Sequence, residues 1–556
     1  MTRPSDISPY PFVYEALASA FHAEGTNVLF ALLGDGNMHW AASLTTLGVR
    51  GVYARHEHCA CAMATMYSNA TGNVGVASVT CGPGLTQTMT ALATAVQARV
   101  PLVVFAGEGP IKAAFYNQSI DQAPLVTATG AHYIAGRSLA RMTDYVRDAF
   151  FVARTERRPV VLGVPLDLQQ QSLGASFSYK PSAGFIPHFS KILPNPEDVG
   201  KAVAAIATAR KIVVLAGKGA LHAGARAACE ELADACGGML ATTLPTRGMF
   251  DHHPFGIGIS GGYARAAGKT LLHETDLLVC VGASLSYFTA DSGRLFQNAK
   301  VIQIDTRPVG LKHGRKAADI YLHADAGEGL RAIIDRLPSD RLDPGWRTAA
   351  IATEIADLTA DGTEFATQPG LIDPRDAVAA IDMVIPKDWE IVNSSGHCAY
   401  FAAQLRGRKP ENFNVIREFG AIGNGLSYAI GVAVAKPEKT VVLIDGDGSL
   451  MMHAQELETV RRLGLRLLIC VLNDGAYGSE IHKMRADGIS DEGAVFGRGD
   501  LSAMARGFGL RGAKIHELDQ FPALFEAFRT ADQAELWDIH IADNVTTPVM
   551  RAHVHK

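Results

Sequence analysis

A chain of 556 residues, 48% apolar and 19% charged, is long enough for several packed domains of roughly 150 residues each. A net charge of −5 and the lack of any dense Lys/Arg block argue against a nucleic-acid partner or an anionic membrane surface. The eight cysteines all lie in apolar or alanine-rich stretches, and no run approaches the ~18 apolar residues of a membrane span. With no basic, apolar leader at the start, the expectation is a soluble, cytoplasmic protein with reduced cysteines.

Short Val/Ile/Leu runs alternate with alanine-rich helical stretches, the pattern of parallel sheets covered by helices. Strands are expected near 27–33, 51–54, 74–80, 101–106 and 160–164, with helices such as 57–71 and 84–98 between them. The Pro-rich stretch 178–198 reads as a linker. A second αβ block begins at KIVVLAGKGA (211–220), includes DLLVCVGASL (276–285) and KVIQIDTRP (300–308), and fades into the polar stretch 337–373. The last block holds strands near 389–393, 440–445, 466–472 and 537–542. The fold class is α/β, with three doubly wound parallel-sheet domains at 1–172, 190–340 and 365–556.

The tripeptide Gly-Asp-Gly occurs twice, in LFALLGDGNMHW (29–40) and in VVLIDGDGSLMM (441–452), each time after an apolar run that reads as a strand. Open α/β sheets bind ligands at the carboxyl ends of their strands. TCGPGLTQ (80–87), NSSGHCA (393–399) and NDGAYGSE (473–480) fall at such ends too. The second Gly-Asp-Gly opens a strand–turn–helix–strand–turn unit, 446–478, in which Asp447 and then Asn473 and Asp474 offer oxygen donors. A right-handed βαβ connection makes those two strand ends neighbours. Mg²⁺ prefers six oxygens and takes only one or two from side chains, leaving the rest to phosphates, carbonyls and water.

Gly-Asp-Gly, twenty-four intervening residues and then Asn-Asp resembles the thiamine-diphosphate motif, whose usual ending is Asn-Asn. The family includes acetolactate synthase, pyruvate decarboxylase and benzaldehyde lyase, and the resemblance covers almost the whole chain. It implies that Asp447 and Asp474 bind Mg²⁺ with the carbonyl of Ala476. The backbone at Gly448 and Ser449, with Gly396 and His397, would hold the diphosphate. Asp474 replaces the usual second asparagine and adds negative charge beside that group. The stretch 53–87 (YARHEHCACAMATMYSNATGNVGVASVTCGPGLTQ) is similar to the region where the family's catalytic glutamate opens a helix. Glu57 is the match, expected to promote the imino tautomer of the aminopyrimidine, with Pro83 and Gln87 packing near that ring. In REFGAIGNGLSYAIG (417–431), similar to the loop that bends the cofactor, the carbonyl of Gly420 would accept from the 4′-amino group and Ile422 would wedge beneath it. His56, His58, Cys59 and Cys61 read as helix-packing residues, because Cys-x-Cys lacks the spacing of zinc sites.

Asp35 has no acidic partner loop at a matching distance. Its turn resembles that of the pyruvate decarboxylases, where the aspartate faces the substrate and handles protons; a plain turn is the alternative. Glu480 falls where those enzymes carry a second acid, or is simply a solvated helix residue. The stretch 107–126 lacks the decarboxylases' histidine pair and looks more like synthases and aldehyde lyases, which place a glutamine there: Gln118 or Gln122. The tryptophan that acetolactate synthases carry after the metal loop is absent. The implied activity is decarboxylation of a 2-oxo acid, dependent on thiamine diphosphate and Mg²⁺, with carboligation of the acyl carbanion to a second carbonyl. Alternatives are a non-ligating decarboxylase, an acyloin or 2-hydroxyacyl lyase, and an inert homologue acting as a subunit. In this family the glutamate and the metal motif of one site come from different subunits, which implies a homodimer or homotetramer. AGKGA (216–220) is a lone Gly-x-Gly, so a structural central domain is favoured over one that holds FAD.

Overall fold

Runs such as VVLIDG (Val441–Gly446) and LLICVLN (Leu467–Asn473) are apolar at consecutive positions, which suits strands buried on both faces by helices. The computed structural model describes residues 12–173, 179–308, 318–338, 345–357 and 361–551. In it such runs build three six-stranded sheets whose strand pairings are parallel.

The N-terminal sheet holds Val28–Ala31 (β1), Arg50–Tyr53 (β2), Gly75–Val79 (β3), Leu102–Glu108 (β4), His132–Ala135 (β5) and Pro159–Pro165 (β6), in the order β2-β1-β3-β4-β6-β5. The central sheet holds Ile212–Ala216 (β7), Met239–Thr242 (β8), Gly256–Ile259 (β9), Leu277–Val281 (β10), Lys300–Asp305 (β11) and Ile320–His323 (β12), ordered β12-β11-β10-β7-β8-β9. The C-terminal sheet holds Glu390–Asn393 (β13), Phe413–Asn414 (β14), Val441–Gly446 (β15), Leu467–Asn473 (β16), Arg511–Ile515 (β17) and Glu535–His540 (β18), ordered β14-β13-β15-β16-β18-β17. In the two outer sheets the connections reverse direction between β1 and β3 and between β13 and β15. Crevices for ligands form at such reversals.

Two local expectations are corrected. The helix expected over 84–98 is two, Pro83–Thr86 and Met89–Ala98, because Gly82 starts the first at φ 56° and the Thr88 hydroxyl donates to the Leu85 carbonyl at 2.7 Å. The stretch expected as a linker ends earlier than 198: helix Pro196–Thr208 is capped by Asn195, whose side chain accepts from the Glu197 N–H at 2.8 Å. Its described start is not free either. Tyr179 and Ser182 both hydrogen-bond the buried carboxylate of Glu24.

The N- and C-terminal domains share one apolar core, in which helix Glu57–Thr71 packs on helix Gly425–Ala435. The crossing is tight enough that a Cβ on Gly431 would lie 2.5 Å from the Met63 carbonyl oxygen. Each aliphatic side chain fully buried at such a seam contributes about 1.5–3 kcal/mol. Both helices lead directly from loops that carry candidate site residues.

Candidate active site

Three neighbouring strands of the C-terminal sheet end at one place. The turns that follow β13, β15 and β16 form a single pocket with Ile422. Of the residues singled out from the sequence, Gly396, His397, Ile422, Asp447, Gly448, Ser449, Asp474, Ala476 and Glu480 line it. Asn473 does not, since its amide nitrogen donates to Asp538 Oδ1 at 2.7 Å and to the Arg498 carbonyl at 2.9 Å. Gly420 lies exposed outside the lining. Glu480 is exposed at the rim, paired with Lys483 at 3.2 Å.

Glycine is required twice here. A Cβ on Gly448 would come 2.8 Å from the Tyr477 ring, and one on Gly478 would come 2.4 Å from Asp474 Oδ2. Asp447 Oδ2 accepts from the Gly475 N–H at 2.8 Å and Asp474 Oδ1 from the Ala476 N–H at 3.2 Å. The Ser449 hydroxyl accepts from the Gly423 N–H at 2.9 Å, fastening the loop that carries Ile422 to the first turn after β15.

Glu57, Asp35, Pro83, Gln87, Gln118 and Gln122 lie apart from this pocket, around the carboxyl end of the N-terminal sheet. The loops after β1 and β3 touch there, with the Gly36 N–H donating to Thr80 Oγ1 at 3.2 Å. Gln122 is buried. Its Oε1 accepts from the Gly82 N–H at 2.9 Å and its Nε2 donates to the Gly107 carbonyl at 3.0 Å, so both ends of the amide are spent on backbone. Gln118 is half-buried, its Oε1 3.3 Å from both Cys81 Sγ and the Tyr116 hydroxyl. Glu57 opens its helix half-buried, with Oε1 3.5 Å from where a Cβ on Gly84 would stand. Asp35, Pro83 and Gln87 are exposed.

Glu57's neighbours in sequence tie its helix to the same chain's C-terminal domain. The Arg55 N–H donates to Glu456 Oε1 at 2.8 Å, and His58 Nε2 lies 2.6 Å from Asn424 Oδ1. The His58 ring stacks on His453 at 4.8 Å, and burial pushes its pKa down to about 4, so it is neutral at neutral pH. His56, Cys59 and His453 place ligand-type atoms within 4.8 Å of one another. Two of these rings already serve backbone: His56 Nδ1 accepts the His58 N–H at 3.1 Å, and His453 Nδ1 donates to the Gly423 carbonyl at 2.8 Å.

Three domain families match the chain in order. They are the thiamine pyrophosphate enzyme N-terminal TPP binding domain over residues 12–125, the central domain over 199–333, and the C-terminal TPP binding domain over 394–539. The chain is a thiamine pyrophosphate enzyme. Its relatives include the probable acetolactate synthase large subunit of Methanococcus aeolicus, 27% identical across 95% of this chain and 91% of that one. They also include the acetolactate synthase isozyme 2 large subunit of Escherichia coli (strain K12), 29% identical across 94% of each, and the acetolactate synthase of Arthrospira platensis, 29% identical across 83% and 82%. These place the thiamine pyrophosphate enzyme in the acetolactate synthase-like group, whose general chemistry is decarboxylation and carboligation with this cofactor.

The C-terminal pocket of this thiamine pyrophosphate enzyme fits an anionic cofactor held through a cation. Asp447 and Asp474 are 3% and 8% exposed, and no lysine or arginine stands among the lining residues. Burial raises both carboxyls above the usual range, and the Asp474 charge raises Asp447 further. Two neighbouring buried carboxylates, one of them raised by the other's charge, are the donor chemistry of a divalent ion. His397 lines the same pocket with both ring nitrogens buried and unpartnered. Among residues not singled out from the sequence, Asp445 is wholly buried, with burial raising it to about 6, and its Oδ2 has no partner. A charged residue ending an apolar strand was the signal available for it.

Proposed function

We propose that the protein binds thiamine diphosphate through Mg²⁺ at the C-terminal pocket, cleaves carbon dioxide from a 2-oxo acid and joins the remaining acyl part to a second carbonyl compound. The reading rests on the buried Asp447/Asp474 pair facing Gly448, Ala476 and His397, in a chain that carries all three domains of this enzyme class. Asp447, Asp474 and the Ala476 carbonyl would hold the metal. The backbone at Gly396, Gly448 and Ser449, with His397, would hold the diphosphate, and Ile422 and Gly420 would stand against the rest of the cofactor. Bound thiamine diphosphate supplies the electron sink for breaking and making a bond to a carbonyl carbon.

Glu57 would exchange a proton between its carboxyl and the cofactor's aminopyrimidine, with Pro83 and Gln87 beside it. Gln118 rather than Gln122 faces the substrate, because the Gln122 amide is committed to Gly82 and Gly107. Asp35 and Glu480 are exposed carboxylates on opposite halves, placed to exchange protons with substrate when the halves meet. Because the Glu57 face does not line the Asp447 pocket of the same chain, the complete site forms between two subunits of a homodimer or a dimer of dimers. Exposed apolar side chains fringe both halves: Leu33, Ile111, Phe115 and Ile120 on one, Met451, Met452, Tyr477 and Phe496 on the other.

The central domain is read as structural rather than flavin-binding. Gly217 and Gly219 pack onto the loop after β10, where a Cβ on either would come within 2.4 Å and 2.8 Å of Gly282. Flavin released on denaturing the purified protein would contradict this.

The test is product analysis. Purified protein with thiamine diphosphate and Mg²⁺, given a panel of 2-oxo acids, is expected to release carbon dioxide and form an acyloin or a 2-hydroxy acid. Free aldehyde alone would instead mark a non-ligating decarboxylase. No turnover with cofactor bound, on 2-oxo acids and acyloins alike, would mark an inert subunit.

A further inference from the structure

A second cavity, of about 450 Å³, lies between the central and C-terminal domains and shares no residue with the pocket of Asp447. Its charged lining sets three arginines, Arg247, Arg265 and Arg406, against one carboxylate, Asp251. Arg247 is the unusual member. It is 3% exposed, and its Nη1 is buried with no hydrogen-bond partner. The Phe413 ring, 4.9 Å from its Cζ, positions the guanidinium without supplying an acceptor.

The acids within its field are otherwise engaged. Asp382 accepts from Arg408 Nη2 at 2.7 Å and from the Arg406 N–H at 3.0 Å, and pairs with Lys387 at 2.8 Å. Asp251 is exposed and accepts from the Gly407 N–H at 3.3 Å. Among the described residues, the one hydrogen bond of Arg265's side chain is a long 3.4 Å contact from Nε to Gln404 Oε1. A buried cation without an acceptor is costly, and a bound anion is one way to supply the missing oxygens. The remaining wall includes Ile259, Ile355 and Tyr263, and the volume falls within the range of small-molecule sites.

We propose that this cavity binds a small organic anion of nucleoside-monophosphate size, with a phosphate or carboxylate group on Arg247 and Arg265 and its body against Ile259, Ile355 and Tyr263. The site is independent of the cofactor and of the reaction assigned above.

Calorimetric titration of the protein saturated with thiamine diphosphate and Mg²⁺, which keeps phosphates out of the diphosphate pocket, tests this with AMP, adenosine, inorganic phosphate and citrate. AMP is expected to bind saturably, adenosine at least about tenfold more weakly, and inorganic phosphate to compete with AMP. Arg247→Met should weaken AMP at least about tenfold and Arg247→Lys by less, since lysine keeps the charge but not the fork. Arg265→Gln, at a half-buried position, should weaken AMP as well and stands in if Arg247→Met does not fold. Citrate binding with the same dependence on the two arginines upholds the site and assigns it to carboxylates. The proposal is overturned if AMP, phosphate and citrate all fail to bind at ~1 mM, or if binding is indifferent to both arginines.

Discussion

The carboxyl ends of the N-terminal and C-terminal sheets both carry Gly-Asp-Gly turns, yet they differ in burial. Both ends have glycines forced by contacts under 3 Å, such as Gly448 and Gly34, and loops bonded to one another, but around Asp447 the charges are buried. Around Asp35 the acid is exposed, Pro83 and Gln87 face solvent, and Phe115 stands 83% exposed nearby. On the proposed function a cation would bind at the Asp447 end and a partner subunit would cover the Asp35 end, so that two copies of one tripeptide would do different work.

The largest expected effect tests the open half. Glu57→Gln should lower carbon dioxide release at least ~10²-fold, the scale of lost acid–base assistance, while cofactor binding measured by fluorescence quenching stays within a few-fold. A rate near wild type would remove Glu57 from the chemistry.

Asp447→Asn tests the closed half. Loss of one charged metal ligand should weaken Mg²⁺-dependent cofactor binding by about 30-fold, or ~2 kcal/mol. The cofactor-free variant should melt no lower than wild type, because the neutral amide ends the repulsion with Asp474. A large drop in melting temperature would instead make Asp447 a structural residue.

A smaller effect probes the seam that joins the halves within a chain. Burial depresses His58 from 6.5 to about 4, so its contribution to stability is present above 6.5 and is lost as pH falls from about 6.5 to about 4. His58→Gln keeps a donor for Asn424 and cannot charge. Its stability loss between pH 7.5 and 5, from urea unfolding, should be smaller by roughly 1–2 kcal/mol. Equal acid losses in both proteins would mean that His58 does not stay neutral in the seam.

Much of this architecture was legible in the residue order. Fully buried strands such as β4, β15 and β16 are continuous apolar runs and stand out. Most edge strands do not, β2 apart: β5 and β17 are only partly buried, and β14 has two residues. The Asp447 and Asp474 pairing was readable because one helical crossover fixes the distance between adjacent strand ends. Gln118, in a loop, and Gln122, at the start of the next helix, lie only four positions apart, so spacing alone could not separate them; the backbone bonds of Gln122 support Gln118. His453 went unnoticed because its partner, His58, lies in another domain, and only the packing of helix Glu57–Thr71 on Gly425–Ala435 brings them together.

Subunit mixing tests the two-chain site most directly. Dual-tag purification isolates a dimer with Glu57→Gln on one chain and Asp447→Asn on the other. If each site draws Glu57 from one chain and Asp447 from its partner, one site per dimer is intact, and about half of wild-type turnover should return from two impaired parents, measured at a cofactor concentration that saturates the wild type but not Asp447→Asn. Turnover no higher than that of the parents would show that a single chain supplies both halves.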